Sequence, residues 1–381
     1  MRVTAVELLR SDEPVELPEP WLAAWRAPGG DSVESLDWSV VRVHTDDGVV
    51  GVGPGMGVEE GLDVVGFDPF RVGRFFEEHL SGRRAGTAGR GAAGVEIALW
   101  DAVGKALGAP VHELLGSVRD RVEVYAATTR LLDPPDLVET VQGIREAGFP
   151  AAKLRLHRSD PADDVAAVRA VREAVGEEYT LFVDANQNND SPGYEFWSRA
   201  TALDVARELE DVGVGFLEEP LPRRDVSGLA DIAERVDVPV AGGEHTPTPY
   251  DFEPHLRRGA YDVLQPDVAL GGNLGISGLR RVATVADFFG TPVIPHVCSG
   301  PALPLGLAAT LHVAAAETNV PMVEFPHDPP ILTPETTQRF VDEPLRVESD
   351  GRVPVPDGPG LGVDLDGAEL EDNAQVVWST E

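Results

Sequence analysis

Three apolar runs in this chain each stop at a carboxylate. Thr180-Leu-Phe-Val ends in Asp184, with Asn186 two places on; Val214-Gly-Phe-Leu ends in Glu218; Val238-Pro-Val-Ala-Gly-Gly ends in Glu244. Short, nearly unbroken apolar runs read as strands buried on both faces, the mark of a parallel sheet. In a closed barrel of parallel strands the C-terminal strand ends converge on one mouth. Carboxylates gathered there repel one another unless a divalent cation sits between them, and Mg2+ suits a site whose shell is completed by substrate and water.

The neighbouring runs add further chemistry. In Lys153-Leu-Arg155 the two-residue period of a strand points both cations to the barrel interior, a costly placement unless anions stand opposite. Leu264-Gln-Pro-Asp267 and Val293-Ile-Pro-His296 end adjacent strands, so Asp267 can accept a hydrogen bond from the His296 ring. Such a bond orients the imidazole and raises its basicity, as a general base requires. Met322-Val-Glu324 brings a last carboxyl to the mouth. Fixed cations beside a metal make a positive pocket suited to a carboxylate ligand. Each residue has a plainer reading: an acid after a strand is commonly a helix N-cap, His296 can be a satisfied core histidine, and Lys153 and Arg155 can form ordinary salt bridges. The run of polar strand ends from the second strand to the eighth argues against all of these holding at once. Gly242-Gly243 and Gly271-Gly272 let backbone pass close to a ligand.

The elements that must position these residues follow a regular beat. Strands are expected at 122–126, 151–156, 180–184, 214–218, 238–243, 261–266, 291–295 and 321–324, with helices over 135–147, 161–175, 200–212, 226–236, 251–259, 275–288 and 303–316 between them. The alternation implies a parallel sheet with helices outside it, and eight strands in about 200 residues fit a TIM-like barrel. An open doubly wound sheet is the alternative, but no Gly-rich nucleotide fingerprint follows the first strand. Before the barrel, strands at 2–9 and 37–54, with a hairpin turn at Asp46-Asp47-Gly48, and a helix over 70–107 form an α+β domain. The expected layout is therefore α/β, with an α+β capping domain over 1–118, a barrel over 119–325 and a C-terminal segment, 326–381, that packs back on the capping domain.

Together these motifs resemble the enolase superfamily, and within it the mandelate racemase subgroup, over nearly the whole chain. Ala98-Leu-Trp-Asp-Ala-Val-Gly-Lys-Ala-Leu-Gly is similar to the helix that closes that family's capping domain. Lys153-Leu-Arg155 falls at its second-strand Lys-x-Lys position. Val183-Asp-Ala-Asn186, Leu217-Glu-Glu-Pro220 and Gly243-Glu244 resemble its metal-ligand segments, and Gln265-Pro-Asp267 with Pro295-His296 resembles its Asp–His dyad. The resemblance implies a modified (β/α)7β barrel, Asp184, Glu218 (not Glu219) and Glu244 as Mg2+ ligands, and removal of a proton alpha to a carboxylate. Glu324 would hydrogen-bond the substrate carboxylate, and Asn186 would touch metal-bound substrate. An even-numbered homo-oligomer is also implied.

One position departs from the pattern. Arg155 replaces the second lysine, and a guanidinium is protonated at any working pH, so it is a poor base. A racemase needs a base on each face of the alpha carbon; here His296 is the evident one. The expectation is a dehydratase acting on a sugar acid, aldonate or aldarate: His296 abstracts the alpha proton, a metal-stabilised enediolate forms, and the 3-hydroxyl leaves to give a 2-keto-3-deoxy acid. An epimerase using Lys153 as second base and a non-catalytic acid-binding relative are the alternatives. His157 and His245 are candidates to bind sugar hydroxyls. Specificity is expected in loops 21–30 and 53–58, the former with two tryptophans and an arginine placed to act as a lid.

Composition sets the remaining bounds. The 381 residues carry 65 acidic and 31 basic side chains, a formal charge of −34, which repels nucleic acid and anionic lipid and sets both aside as partners. Lys105 and Lys153 are the only lysines. An acidic, lysine-poor surface resembles that of halophilic proteins, where molar salt shortens the Debye length to a few ångströms. A single cysteine, Cys298, allows no internal disulfide. With no signal-like segment and no apolar run of membrane-spanning length, a cytoplasmic location is expected.

Overall fold

The computed structural model describes residues 1–27, 29–56, 62, 64–81, 92–188, 194–270, 274–300 and 303–380. The middle of the expected 70–107 helix, the glycine pair at 271–272 and the end of the 53–58 loop lie outside these residues.

The N-terminal part comprises β1 (Val3–Ser11), β2 (Val15–Trp21), β3 (Val33–Leu36), β4 (Ser39–Thr45) and β5 (Val50–Pro54), then helices α1 (Val72–His79), α2 (Ala92–Leu107) and α3 (Val111–Leu115). β1, β4 and β5 form an antiparallel sheet, and β2 pairs with β3 as a separate two-stranded arm. The arm carries a short 3-10 turn, Ala24–Arg26, at its tip.

The barrel follows: β6 (Arg121–Ala127), α4 (Pro134–Glu146), β7 (Ala151–Arg155), α5 (Pro161–Val175), β8 (Thr180–Asp184), α6 (Arg199–Val212), β9 (Leu217–Glu218), α7 (Val226–Ala233), β10 (Val240–Gly242), α8 (Glu253–Arg258), β11 (Val263–Leu264), α9 (Gly275–Phe289), α10 (Leu303–Ala316) and β12 (Met322–Pro326). Its helices follow local signals. In α5, Asp160 caps the start by accepting from the Ala162 amide, Pro161 opens the first turn, and Val165, Val168, Val171 and Val175 bury one face. Strands β6 to β11 are parallel in chain order, and β12 returns to pair with β6 in parallel, Met322 beside Glu123.

The seventh strand differs from expectation. Residues 291–295 make one bridge, Val293 to Leu264, and the barrel closes through a few backbone bonds, Leu264 N to Pro292 O and Ile294 N to Leu264 O on one side and Glu324 N to Pro295 O on the other. Pro292 and Pro295 lack the amides a continuous ladder would use. The fourth run is likewise paired as a strand only at 217–218. There Gly215 is required, because a Cβ would stand 2.6 Å from the Phe182 ring. Inside the barrel Phe182 stacks on Phe216 at 4.0 Å between centroids, with Tyr125 edge-on to both. This aromatic layer fills the barrel beneath its mouth.

After β12 come α11 (Pro334–Thr337), β13 (Arg352–Pro354), α12 (Gly367–Asn373) and β14 (Ala374–Ser379). β14 pairs antiparallel with β1. β13 pairs antiparallel with β6, a contact with the barrel that the sequence did not suggest. No helix among the described residues is long and apolar enough to cross a membrane.

Two buried acids on α2 join these parts. Glu96 accepts from the backbone amides of Ile276 and Ser277 (2.9 and 3.1 Å), capping the N-terminus of α9, and from Trp100 Nε1 and Ser277 Oγ. Asp101 accepts from the amides of Val52 and Leu361 and pairs with Lys105, each at 2.7 Å. A third tie is a histidine pair. His312 on α10 lies within hydrogen-bond distance of the Leu361 carbonyl through Nε2, so Nε2 carries the proton and Nδ1 accepts from the His112 amide. Burial holds this imidazole down at about 4.

Replacing Glu96 with Ala leaves two helix amides uncapped in a buried place and should cost about 2–3 kcal/mol, read as a lower denaturant midpoint. His312 is held below its unfolded value, so its contribution to stability is intact above about 6.5 and is lost as pH falls toward about 4. Unfolding free energy should drop by roughly 2–3 kcal/mol across that window, and the drop should shrink in His312→Gln.

Candidate active site

Lys153, Arg155, Asp184, Asn186, Glu218, Glu244, Asp267, His296 and Glu324 converge on the C-terminal mouth of the barrel. On β7, Lys153 and Arg155 point inward as the period-two reading requires, and both are buried. Lys153 Nζ lies 2.7 Å from Glu218 Oε2 on β9 and 2.7 Å from Glu324 Oε2 on β12. Burial alone would push its ammonium toward neutrality; the two carboxylates outweigh that and hold it charged. Arg155 pairs with Asp184 at the end of β8, donates to the Thr128 carbonyl at 2.7 Å, and lies 5.2 Å beneath the Trp25 ring.

The backbone turns sharply at these strand ends. Asn186 (φ 51°) and Glu219 (φ 44°) are the two non-glycine residues with left-handed backbone among those described, a strained conformation of the kind that gathers at functional sites. After β10 the chain passes close to its neighbours, since a Cβ on Gly243 would meet the Phe252 ring at 2.7 Å. Glu244 follows, with His245 Nε2 at 2.8 Å and His296 Nε2 at 3.1 Å.

The Asp267–His296 dyad is formed. Asp267 Oδ2 lies 2.8 Å from His296 Nδ1 and also accepts from the Cys298 amide, while Oδ1 accepts from the Ala269 and Leu270 amides. An aspartate so held fixes the proton on Nδ1 and leaves Nε2 as the reactive nitrogen. Burial pulls this imidazole down, but Glu244, Glu324 and Asp267 outweigh it and hold it up at about 10. Glu244 is the largest of these attractions, so whatever engages its carboxylate returns His296 toward neutrality.

Among the described residues no three His, Cys, Asp or Glu side chains stand grouped as a ready-made metal cage. The carboxylates are turned onto the chain's own cations. The donor set still fits a hard divalent ion: Glu218 Oε1 and Asn186 Oδ1 are buried acceptors with no hydrogen-bond partner among the described residues. The Glu218 carboxyl is pushed up to about 7 by burial and by the charge of Asp184, against the pull of Lys153. These are marks of a cluster with acceptors to spare.

A pocket of about 320 Å³ opens above the mouth. Arg155, Asn186, Glu244, His245, His296 and Glu324 form its floor, and the β2–β3 arm forms its far wall. Trp21, Trp25 and Arg26 of the 21–30 loop thus line the pocket. His157 does something other than expected: it is buried and is not part of the pocket wall. Its Nδ1 donates to the Ala24 carbonyl at 2.8 Å and its ring lies against Tyr194, so it holds the arm's tip to the barrel. Two residues escaped the sequence reading. Tyr125 donates to Glu324 Oε2, and Gln265 donates to Glu218 Oε2, both at 2.7 Å. The Gln-Pro-Asp run offered a signal for Gln265, whereas nothing marked Tyr125 as more than an interior aromatic.

Residues 136–370 match the family described as Enolase C-terminal domain-like, and residues 27–116 match the Mandelate racemase / muconate lactonizing enzyme N-terminal domain. The chain is 32% identical to arabinonate dehydratase of Saccharolobus solfataricus over 76% of its length and 73% of that protein's. It is 30% identical to L-talarate/galactarate dehydratase of Salmonella typhimurium, over 86% and 80%. Others of like identity carry cycloisomerase names. Among solved structures, L-talarate dehydratase from Polaromonas sp. JS666, complexed with Mg and L-glucarate, superposes with a TM-score of 0.80 at 27% identity, covering 100% of this chain and 99% of that one.

Substituting His157 with Ala should free the arm's tip. Hydrogen exchange at the Ala24, Arg26 and Ala27 amides is expected to quicken at least about tenfold; unchanged protection would assign the tether to the bonds of Trp21 and Ala24 to Thr129.

Proposed function

Because the chain belongs to the enolase superfamily, in its mandelate racemase group, we propose that it is a sugar-acid dehydratase, a carbon–oxygen lyase that converts an aldonate or aldarate to its 2-keto-3-deoxy acid. The observation that carries the reading is the asymmetry of the mouth. His296, oriented by Asp267, offers one reactive nitrogen to the pocket. The opposite positions are held by fixed cations: Arg155, ion-paired to Asp184, and Lys153, bonded to two carboxylates. Abstraction from one face followed by elimination needs no second base, whereas racemisation does.

Asp184, Glu218 and Glu244 would hold Mg2+, with Asn186 Oδ1 toward the bound substrate. Bound there, the ion would draw charge from the substrate carboxylate and lower the cost of removing the neighbouring proton, as in enolase-superfamily sites that pair a divalent ion with a Lys or His base. His296 Nε2 takes the alpha proton. The electron pair left on the alpha carbon forms a double bond as the C3–O bond breaks. His296 returns its proton to the departing hydroxyl, so water leaves and the enol relaxes to the ketone. Arg155 and Lys153 keep positive charge beside the developing anion, and Glu324, bridged to Lys153 and Tyr125, faces the substrate carboxylate.

Incubation with a panel of sugar acids, Mg2+ and high salt should yield a 2-keto product. His296→Asn should lower kcat by about 10²–10⁴, and Glu218→Gln should weaken the dependence on Mg2+. Solvent deuterium entering recovered substrate with inverted configuration, and no keto product, would identify an epimerase instead. A wild-type protein with neither exchange nor product would point to a binding protein.

A further inference from the structure

Arg26 stands apart from the other cations around the pocket. Lys153 and Arg155 are buried and ion-paired, and His245 and His296 both lean on Glu244. Arg26 closes the 3-10 turn at the tip of the arm, lines the same pocket and is exposed. Its side chain has no ion pair or hydrogen bond among the described residues. Acids outnumber bases by 65 to 31 in this chain, so chance alone would tend to give an exposed arginine an acidic neighbour.

The arm's own acid on the pocket wall, Asp37, is at the far end of the ribbon. Trp21 pairs with Val33 beside the tip, whereas Leu36 pairs with Val15 at the base. Four residues of extended chain from Val33 to Asp37 put about 13 Å between that acid and the tip end. Near Arg26 the wall is made by Trp21, Trp25 and Val33, which offer no counter-charge. The barrel floor already holds the groups for one carboxylate. Arg26 therefore places a second, separate positive charge on the arm's side of the pocket, as a planar fork suited to bidentate carboxylate binding.

We infer that Arg26 receives a distal carboxylate, so that the substrates are aldarates, acids at both ends, in preference to aldonates, which end in a neutral hydroxyl. The inference rests on the dehydratase reading for the reaction but not for the binding. The relatives do not decide the matter, since one is named for arabinonate and a solved one holds L-glucarate.

The test sets the stereoisomeric hexarates against hexonates of the same configuration, with wild type, Arg26→Gln and Arg26→Lys. Both kcat/KM for keto product and equilibrium affinity by calorimetric titration are measured. A hydrogen bond to a charged group is worth a factor of about ten to a hundred. Wild type should favour the preferred diacid over its monoacid by that factor. The ratio should fall toward one in Arg26→Gln and recover in part in Arg26→Lys. Equal ratios in wild type and Arg26→Gln, or a wild-type preference for monoacids, overturn the inference and leave the dehydratase reading standing. Absence of keto product from every acid overturns the dehydratase reading, while the titrations still decide whether Arg26 selects diacids. Among the described residues the Arg26 side chain has no ion pair or hydrogen bond, so its variants remove no contact on which folding is seen to depend.

Discussion

The buried ammonium of Lys153 is the constraint on which the site is built. It lies on no surface, yet it bonds side chains from two other strands, so β7, β9 and β12 are tied through one charge. An ion buried this far costs several kcal/mol, recovered only where its partners are well placed, and removing one partner leaves the others uncompensated. Glu218, Glu324 and, at one remove, Tyr125 and Gln265 are positioned by that requirement. Arg155 plays the same part for Asp184. The mouth is thus a lattice of opposite charges that holds its acceptors in place, supported from below by the Phe182–Phe216 layer.

How far this could be read in advance depended on whether a residue's chemistry showed in its local run. The strand ends did, because a carboxylate that ends an apolar run is conspicuous, and Lys153 and Arg155 were assigned inward by strand period alone. The length of the seventh strand did not, because Pro292 and Pro295 limit pairing without ending the apolar run. Glu96 and Asp101 were missed for a different reason. On an amphipathic helix they read as solvent-facing acids, but α2 is buried nearly all round and its acids serve amides from β5, α9 and the tail. The partners of a buried acid are set by tertiary packing, which periodicity does not encode.

The floor and the far wall of the pocket belong to different parts of the chain. Lys153, Arg155 and His296 stand where barrel strands or strand-like runs end, each bonded to carboxylates from other barrel elements. The far wall belongs to the β2–β3 arm, tied to the barrel through Trp21 to Thr129, Ala24 to Thr129 and Ala24 to His157. A change in the arm can therefore alter what enters without touching the dyad. That division is consistent with relatives of similar identity bearing both dehydratase and cycloisomerase names.

The pairing of β14 with β1 bears on how the chain is made. Glu7 stands opposite Ser379 and Leu9 opposite Val376, so neighbours in the sheet are separated by nearly the whole length of the polypeptide. During synthesis β1 and β4 can pair early, but the outer edge of β1 stays open until residues 374–379 have emerged. For most of translation the nascent chain presents an unpaired strand edge, the kind of surface that recruits other chains. The barrel, with its neighbour-to-neighbour strands, can close first. The N-terminal sheet is completed last, although its first strand is the first to be made.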